Sequence, residues 1–297
     1  MRYIEKHPMI MIVLGIFGIS VSSILVRYST APSSLTAAWR LIWTVLLMTP
    51  AVFGSSSVRR EMKGLDRKTV LLSILSGVFL AIHFSVWFES LQYTSVASST
   101  TIVCTEVIWV SIGYCLFLRG RLHPKAILAI VITLAGSFLI ALSDAGAGED
   151  NLYGDILALV AAIAVAVYTL IGRRVRSNVS TTAYTYIVYT ACGAVLALLC
   201  LTGNHGFFAY GPSCIVVGLL LAVCSTILGH SIFSWCLKYF SPSFVSASKL
   251  CEPVAAAAMA AVLFGEGVSA LQLLGGGFVL GGVLYYSRIE KKVNKPV

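Results

Sequence analysis

The chain has 297 residues, 58% hydrophobic and 11% charged, with mean hydropathy +0.90. Soluble domains run about 25% charged, so a water-facing globular surface is excluded and most of this surface must meet lipid. The formal net charge of +9 suggests a nucleic-acid partner only until its distribution along the chain is followed.

A helix that crosses a bilayer needs about 20 predominantly apolar residues. Ten segments meet that requirement, over roughly 8–28, 34–54, 68–91, 96–118, 124–142, 152–172, 181–202, 213–237, 243–264 and 269–287. The first has the length of a signal peptide but ends in Val-Arg-Tyr without an A-x-A-like site, and it has a counterpart in span six, so it is expected to be retained. Span two carries Arg40 between Trp39 and Trp43. Span three carries His83, Trp87 and Glu89, and a short turn with Tyr93 leads into span four, which holds Glu106 and Trp109. An acidic loop with Asp144, Glu149 and Asp150 joins spans five and six, and Asp155 enters span six. Span eight holds His230 and Trp235. Span nine holds Lys249, Glu252 and Pro253, and span ten contains Gly275-Gly276-Gly277 and Gly281-Gly282. The eight cysteines lie in or at the ends of apolar segments with no C-x-x-C pair, which predicts small buried hydrophobes rather than disulfides or metal ligands.

With the N-terminus inside, 18 of the 21 basic residues fall on the cytoplasmic side. Arg27 lies outside, and Arg40 and Lys249 lie within spans. This is the positive-inside pattern, so the basic balance reports orientation, N-in and C-in, and no nucleic-acid partner is expected.

Shifted by 146 residues, the sequence aligns Leu91, Tyr93 and Ser95 with Leu237, Tyr239 and Ser241. The same shift places Glu106 on Glu252, Arg27 on Arg173, Ala37 on Ala183 and Gly136 on Gly282. The span boundaries stay in register without a gap. The expected organisation is therefore two five-helix repeats, 1–146 and 147–297, in one membrane domain. An odd number of spans per repeat requires the copies to be inverted, an arrangement common in secondary transporters.

Spans nine and ten read SASKLCEPVAAAAMAAVLFGEGVSALQLLGGGFVLGGVLYY over 246–286. The weaker counterpart over 99–142 reads STTIVCTEVIWVSIGYCLFLRGRLHPKAILAIVITLAGSFLIAL. With the ten-span plan, the Glu-Pro of span nine, Gly265-Glu266, Gln272 and the following glycines, the chain resembles the EamA-type members of the drug/metabolite transporter superfamily. The first half departs from the pattern, with Val107 in place of Pro253 and Arg119-Gly120 in place of Gly265-Glu266. The resemblance covers nearly the whole chain and implies the fold and the transport class, while saying little about substrate.

Charges in mid-bilayer cost at least about 2.5–3.5 kcal/mol each on insertion scales, so each should be paired, cavity-facing or functional. Glu106 and Glu252 are the repeat-related pair. Either binds a cationic group or a proton, or else serves as a structural carboxylate bonded to Thr101 or Thr105. Lys249, three residues before Glu252, either neutralises it within the helix or binds a substrate carboxylate. Pro253 lacks a backbone donor and should kink span nine. Arg40 offers a bidentate fork to a carboxylate, with the Trp39 and Trp43 indoles available for stacking; a salt bridge to Glu89 is the alternative. His83 and His230 are either hydrogen-bonded fillers or proton carriers. Trp109 lies one turn from Glu106 on the same face, and Tyr93 suits either a site or an interfacial belt. The glycines of span ten, including a G-x-x-x-G at 277–281, suit internal packing or a homodimer contact.

The sequence has no G-x-x-x-x-G-K-[ST], H-E-x-x-H or G-x-S-x-G motif, and no charge ladder or filter-like loop. The expectation is an all-α plasma-membrane protein, in a bacterium the inner membrane, without cofactor or metal. It would act as a secondary exporter or exchanger of a small polar or zwitterionic metabolite such as an amino acid, with a proton as the candidate coupling ion. A passive channel or facilitator, and a membrane enzyme or scaffold, are the alternatives.

Overall fold

The structure is a computed structural model that describes residues 8–26, 28–90, 92–94, 96–144, 152–203, 206–264 and 267–293. Arg27, Ser95, Glu149, Asp150 and the Gly265-Glu266 pair lie outside the described residues. The described elements are helical: α1 (Pro8–Val26), α2 (Ser33–Gly54), α3 (Ser56–Gly64), α4 (Arg67–Ser90), α5 (Val96–Cys104), α6 (Glu106–Phe117) and α7 (Pro124–Asp144). They continue as α8 (Leu152–Arg176), α9 (Thr181–Thr202), α10 (Pro212–Leu221), a π-helical segment (Ala222–Ser231), α11 (Ile232–Cys236), α12 (Pro242–Lys249), α13 (Glu252–Phe264) and α14 (Ala270–Val293).

Among the described residues, eight helices are long and apolar enough to cross a membrane. Two shorter apolar helices, Pro8–Ser22 and Thr101–Phe117, fall where the first and fourth spans were expected. The helices expose Phe17 at 59%, Leu71 at 65%, Phe117 at 80% and Val262 at 84%. Large apolar side chains in such numbers on the outer faces fit a lipid solvent, in which helices satisfy their own backbone groups.

Helix starts follow capping chemistry. Ser55, Ser180 and Ser241 are N-caps whose hydroxyls accept from Val58, Ala183 and Phe244 amides. Pro212 and Pro242 occupy the first helical turn, where a missing N–H costs nothing.

The chain forms two compact units, each drawing on both halves of the sequence. Unit 1 comprises Met1–Ser85 with Val167–Lys238, and unit 2 comprises Val86–Ala166 with Tyr239–Val297. Two of the three boundaries fall within α4 and α8, and the third, after Lys238, falls between α11 and α12.

In unit 1, α2 packs against α9 and α10, and α1 lies along the π segment. Its core holds Leu35, Leu41, Tyr184, Tyr189 and Leu196, all fully buried. In unit 2, α7 packs along α14 and α6 packs on α12. The α7–α14 approach is close because a Cβ on Gly136 would stand 2.6 Å from the Gly275 carbonyl oxygen, and one on Gly275 equally close to that of Gly136. Gly277 and Gly281, the G-x-x-x-G pair, have nothing within 4 Å. The glycines that pack span ten are therefore Gly275 and Gly282, on the other face.

Candidate functional site

Two segments of unit 2, 146 residues apart, break in the same way. α5 ends at Cys104 and α6 restarts at Glu106; α12 ends at Lys249 and α13 restarts at Glu252. In the second, Pro253 has no N–H to bond the Lys249 carbonyl, and Leu250 and Cys251 instead donate three residues back, to Ala247 and Ser248. In the first, Val107 stands in the proline position, yet the helix tightens anyway. The Thr105 amide and hydroxyl both donate to the Ile102 carbonyl, at 3.0 and 2.6 Å. A threonine bonding back onto its own helix reproduces what proline does in the other segment. Each break leaves a glutamate as the first residue of a new helix, where the unpaired N–H groups favour a carboxylate.

Glu106 is 7% exposed. Its Oε1 accepts from Lys249 Nζ at 3.0 Å, forming an ion pair between the two broken segments. The side chains are 9% and 15% exposed, so this pair is far less screened than a surface bridge. Trp109 follows one turn along α6 from Glu106, and its buried indole N–H has no acceptor among the described residues. Glu252 is half-buried at the start of α13. Two further carboxylates of unit 2 hold helix starts. Glu290 accepts the Ser241 amide and hydroxyl, at 2.5 and 3.0 Å, and Asp155 accepts the Thr94 hydroxyl at 2.8 Å. Glu89 and Tyr93 are exposed, and the Tyr93 ring meets Tyr153 edge-on at 5.0 Å.

Unit 1 collects the remaining expected residues around Arg40, which is 5% exposed. Arg40 Nε donates to Thr226 Oγ1 at 2.7 Å, and its guanidinium carbon stands 4.8 Å above the Phe84 ring. Phe84 in turn meets His83 and the edge of His230, at 5.3 and 5.8 Å. Thr226 and His230 both ride on the π segment, a helical form that concentrates at functional sites. The Trp39 and Trp43 indoles donate to the Phe207 and Ile215 carbonyls, each at 3.1 Å, and Trp39 packs edge-on to Phe207 and Phe208. Their N–H groups thus hold α10 and the segment leading into it.

Several polar residues of this unit give little sequence signal. The Tyr189 hydroxyl pairs with Ser231 at 3.0 Å, Tyr168 with Ser234 at 3.1 Å and Tyr184 with Ser76 at 2.6 Å. Tyrosine and serine in apolar helices are individually unremarked. Only the tertiary pairing shows that they form a buried polar core. Arg40 and Glu89 belong to different units.

The model of the EamA-like transporter family matches the chain twice, over residues 7–142 and again over 152–288. A protein of Clostridium kluyveri named "Uncharacterized transporter" is 24% identical over 261 residues, 86% of this chain and 83% of its own length. One of Escherichia coli K12 named "Probable amino-acid metabolite efflux pump" is 24% identical over 287 residues, covering 92% of this chain and 91% of its own. A solved crystal structure superposes with a TM-score of 0.81 at 15% identity, covering 98% of this chain and 99% of that one, which establishes likeness of fold.

Proposed function

The chain belongs to the EamA-like transporter family, as a multi-pass protein of the plasma membrane, and from that premise we propose that it exports or exchanges a small zwitterion of the amino-acid class. The observation that carries this reading is the buried Glu106–Lys249 pair at the two helix breaks. An ammonium and a carboxylate 3.0 Å apart are complementary, group for group, to a zwitterion. A substrate carboxylate replaces Glu106 on Lys249, and the substrate ammonium replaces Lys249 on Glu106. The pair then re-forms when substrate leaves, so no charge is left unpaired in the interior in either state. The Trp109 indole N–H supplies a further donor for the substrate carboxylate, and Glu252 carries the coupling proton. Arg40 positions the π segment through Thr226. The Escherichia coli relative named for amino-acid metabolite efflux supports the substrate class.

In this reading the ten apolar segments form two inverted five-helix repeats, N-in and C-in, that open to one side of the membrane at a time. The two family matches and the repeated helix break support it.

Counterflow in proteoliposomes tests the proposal, with labelled amino acids outside and an unlabelled mixture inside. Glu106→Gln and Lys249→Gln are each expected to lower exchange by about thirty-fold or more, the effect of truncating one partner of a buried hydrogen-bonded charge pair. Glu252→Gln should retain exchange but lose its pH dependence. Wild-type exchange in the Glu106 and Lys249 variants would remove the ion pair from the mechanism.

A further inference from the structure

The loop between α2 and α4 is itself structured, and its charges are sorted by face. In α3 and the residue after it, Val58, Glu61, Met62 and Leu65 are half-buried, whereas Arg59, Arg60, Lys63 and Gly64 are exposed. That alternation is the helical period. Arg67 and Lys68 follow at the start of α4, also exposed, which gathers five cations within ten residues. The two carboxylates in the same stretch are engaged within the protein. Glu61 Oε1 accepts the Ser180 amide at 2.6 Å, and Asp66 caps α4 through the Thr69 amide. No ion pair to any of the five cations occurs among the described residues.

We infer that α3 and the first turn of α4 form a binding surface for the headgroup of an anionic phospholipid. Only Ser55 separates α3 from the apolar helix α2, and only Leu65 and Asp66 separate it from α4. So short a tether holds the cations at the membrane surface, in reach of lipid phosphates. The last turn of α2 exposes Phe53 at 54% and the second turn of α4 exposes Leu71 at 65%, apolar surface suited to the acyl chains beneath such a headgroup. Arginine and lysine here play different parts. The guanidiniums of Arg59 and Arg60 donate to the Phe53 and Ser56 carbonyls, while Lys63 presents a compact ammonium from the same exposed face. The inference is independent of the substrate assigned to the Glu106–Lys249 pair.

The test exchanges the purified full chain into mixed micelles of phosphatidylglycerol and phosphatidylcholine and measures retained lipid by native mass spectrometry. The wild type should retain phosphatidylglycerol preferentially. The triple variant Arg59→Gln/Arg60→Gln/Lys63→Gln should lose that preference by roughly five-fold per cation removed. Arg59→Lys/Arg60→Lys, which keeps the charge, should retain it, as should Arg121→Gln/Lys125→Gln, which removes basic charge elsewhere. The inference is overturned if the triple variant keeps the wild-type preference or if the Arg121/Lys125 variant loses as much. It is also overturned if inorganic phosphate displaces the bound lipid, since the surface would then take free phosphate.

Discussion

Lys249 had two partners within reach of sequence reasoning, and the structure adds a third, Glu106, 143 residues earlier. Removing one member leaves the other charged and buried, so Lys249→Met or Glu106→Gln should destabilise the protein by about 3–5 kcal/mol. The double variant Glu106→Gln/Lys249→Met should recover much of that loss, because no uncompensated charge remains. Thermal unfolding of the four proteins in detergent gives the coupling directly, and additive losses would mean that the two side chains act independently. The Glu106–Glu252 correspondence was visible from the repeat. The Glu106–Lys249 bond was not, since a repeat relates like to like and this bond joins unlike positions. Val103 is the residue that corresponds to Lys249.

At the scale of helices, close packing and free surface alternate along α14, and substitution should separate them. Gly275→Leu would push a side chain into the Gly136 backbone and should cost about 1–3 kcal/mol, the range for overpacking a well-filled interior. Gly277→Leu, two positions on, meets nothing and should leave the melting temperature unchanged. If Gly277→Leu alone destabilises, the open face is covered by something other than lipid. The α4 start gives a pH-dependent counterpart. The hydrogen bond from Thr69 holds the Asp66 carboxyl below the usual aspartate value, so its contribution is present above that value and fades as the pH falls through the lowered one. Protection of the amides at 67–70, taken relative to their intrinsic exchange rate at each pH, should therefore fall in acid in the wild type. Asp66→Ala should show the reduced protection at every pH. The broken helices carry a related lesson. Pro253 announced one kink in the sequence, whereas Thr105 gives no such notice, because a threonine in an apolar helix breaks it only when its hydroxyl and amide turn onto the same carbonyl.

For the whole molecule, the charge pattern makes a prediction about sidedness. A cysteine at Gly64 and one at Gly206, introduced singly, should react oppositely with a membrane-impermeant maleimide added to intact cells. Position 206 should label at once and position 64 only after the membrane is opened, since the cations of the α2–α4 loop are expected inside. Equal labelling of both would contradict the N-in arrangement. Membrane class, the approximate span positions and the paired glutamates were set by the sequence alone, because hydropathy, loop charge and repeat register are local or periodic properties. The grouping of segments into units was decided only by tertiary structure, as were the choice of Glu106 for Lys249 and of Thr226 for Arg40, and the faces on which glycines meet backbone. In lipid, apolar faces are nearly interchangeable as far as solvation is concerned. What distinguishes one packing from another is the fit of small residues and the satisfaction of a few buried polar groups, and those depend on residues distant in the chain.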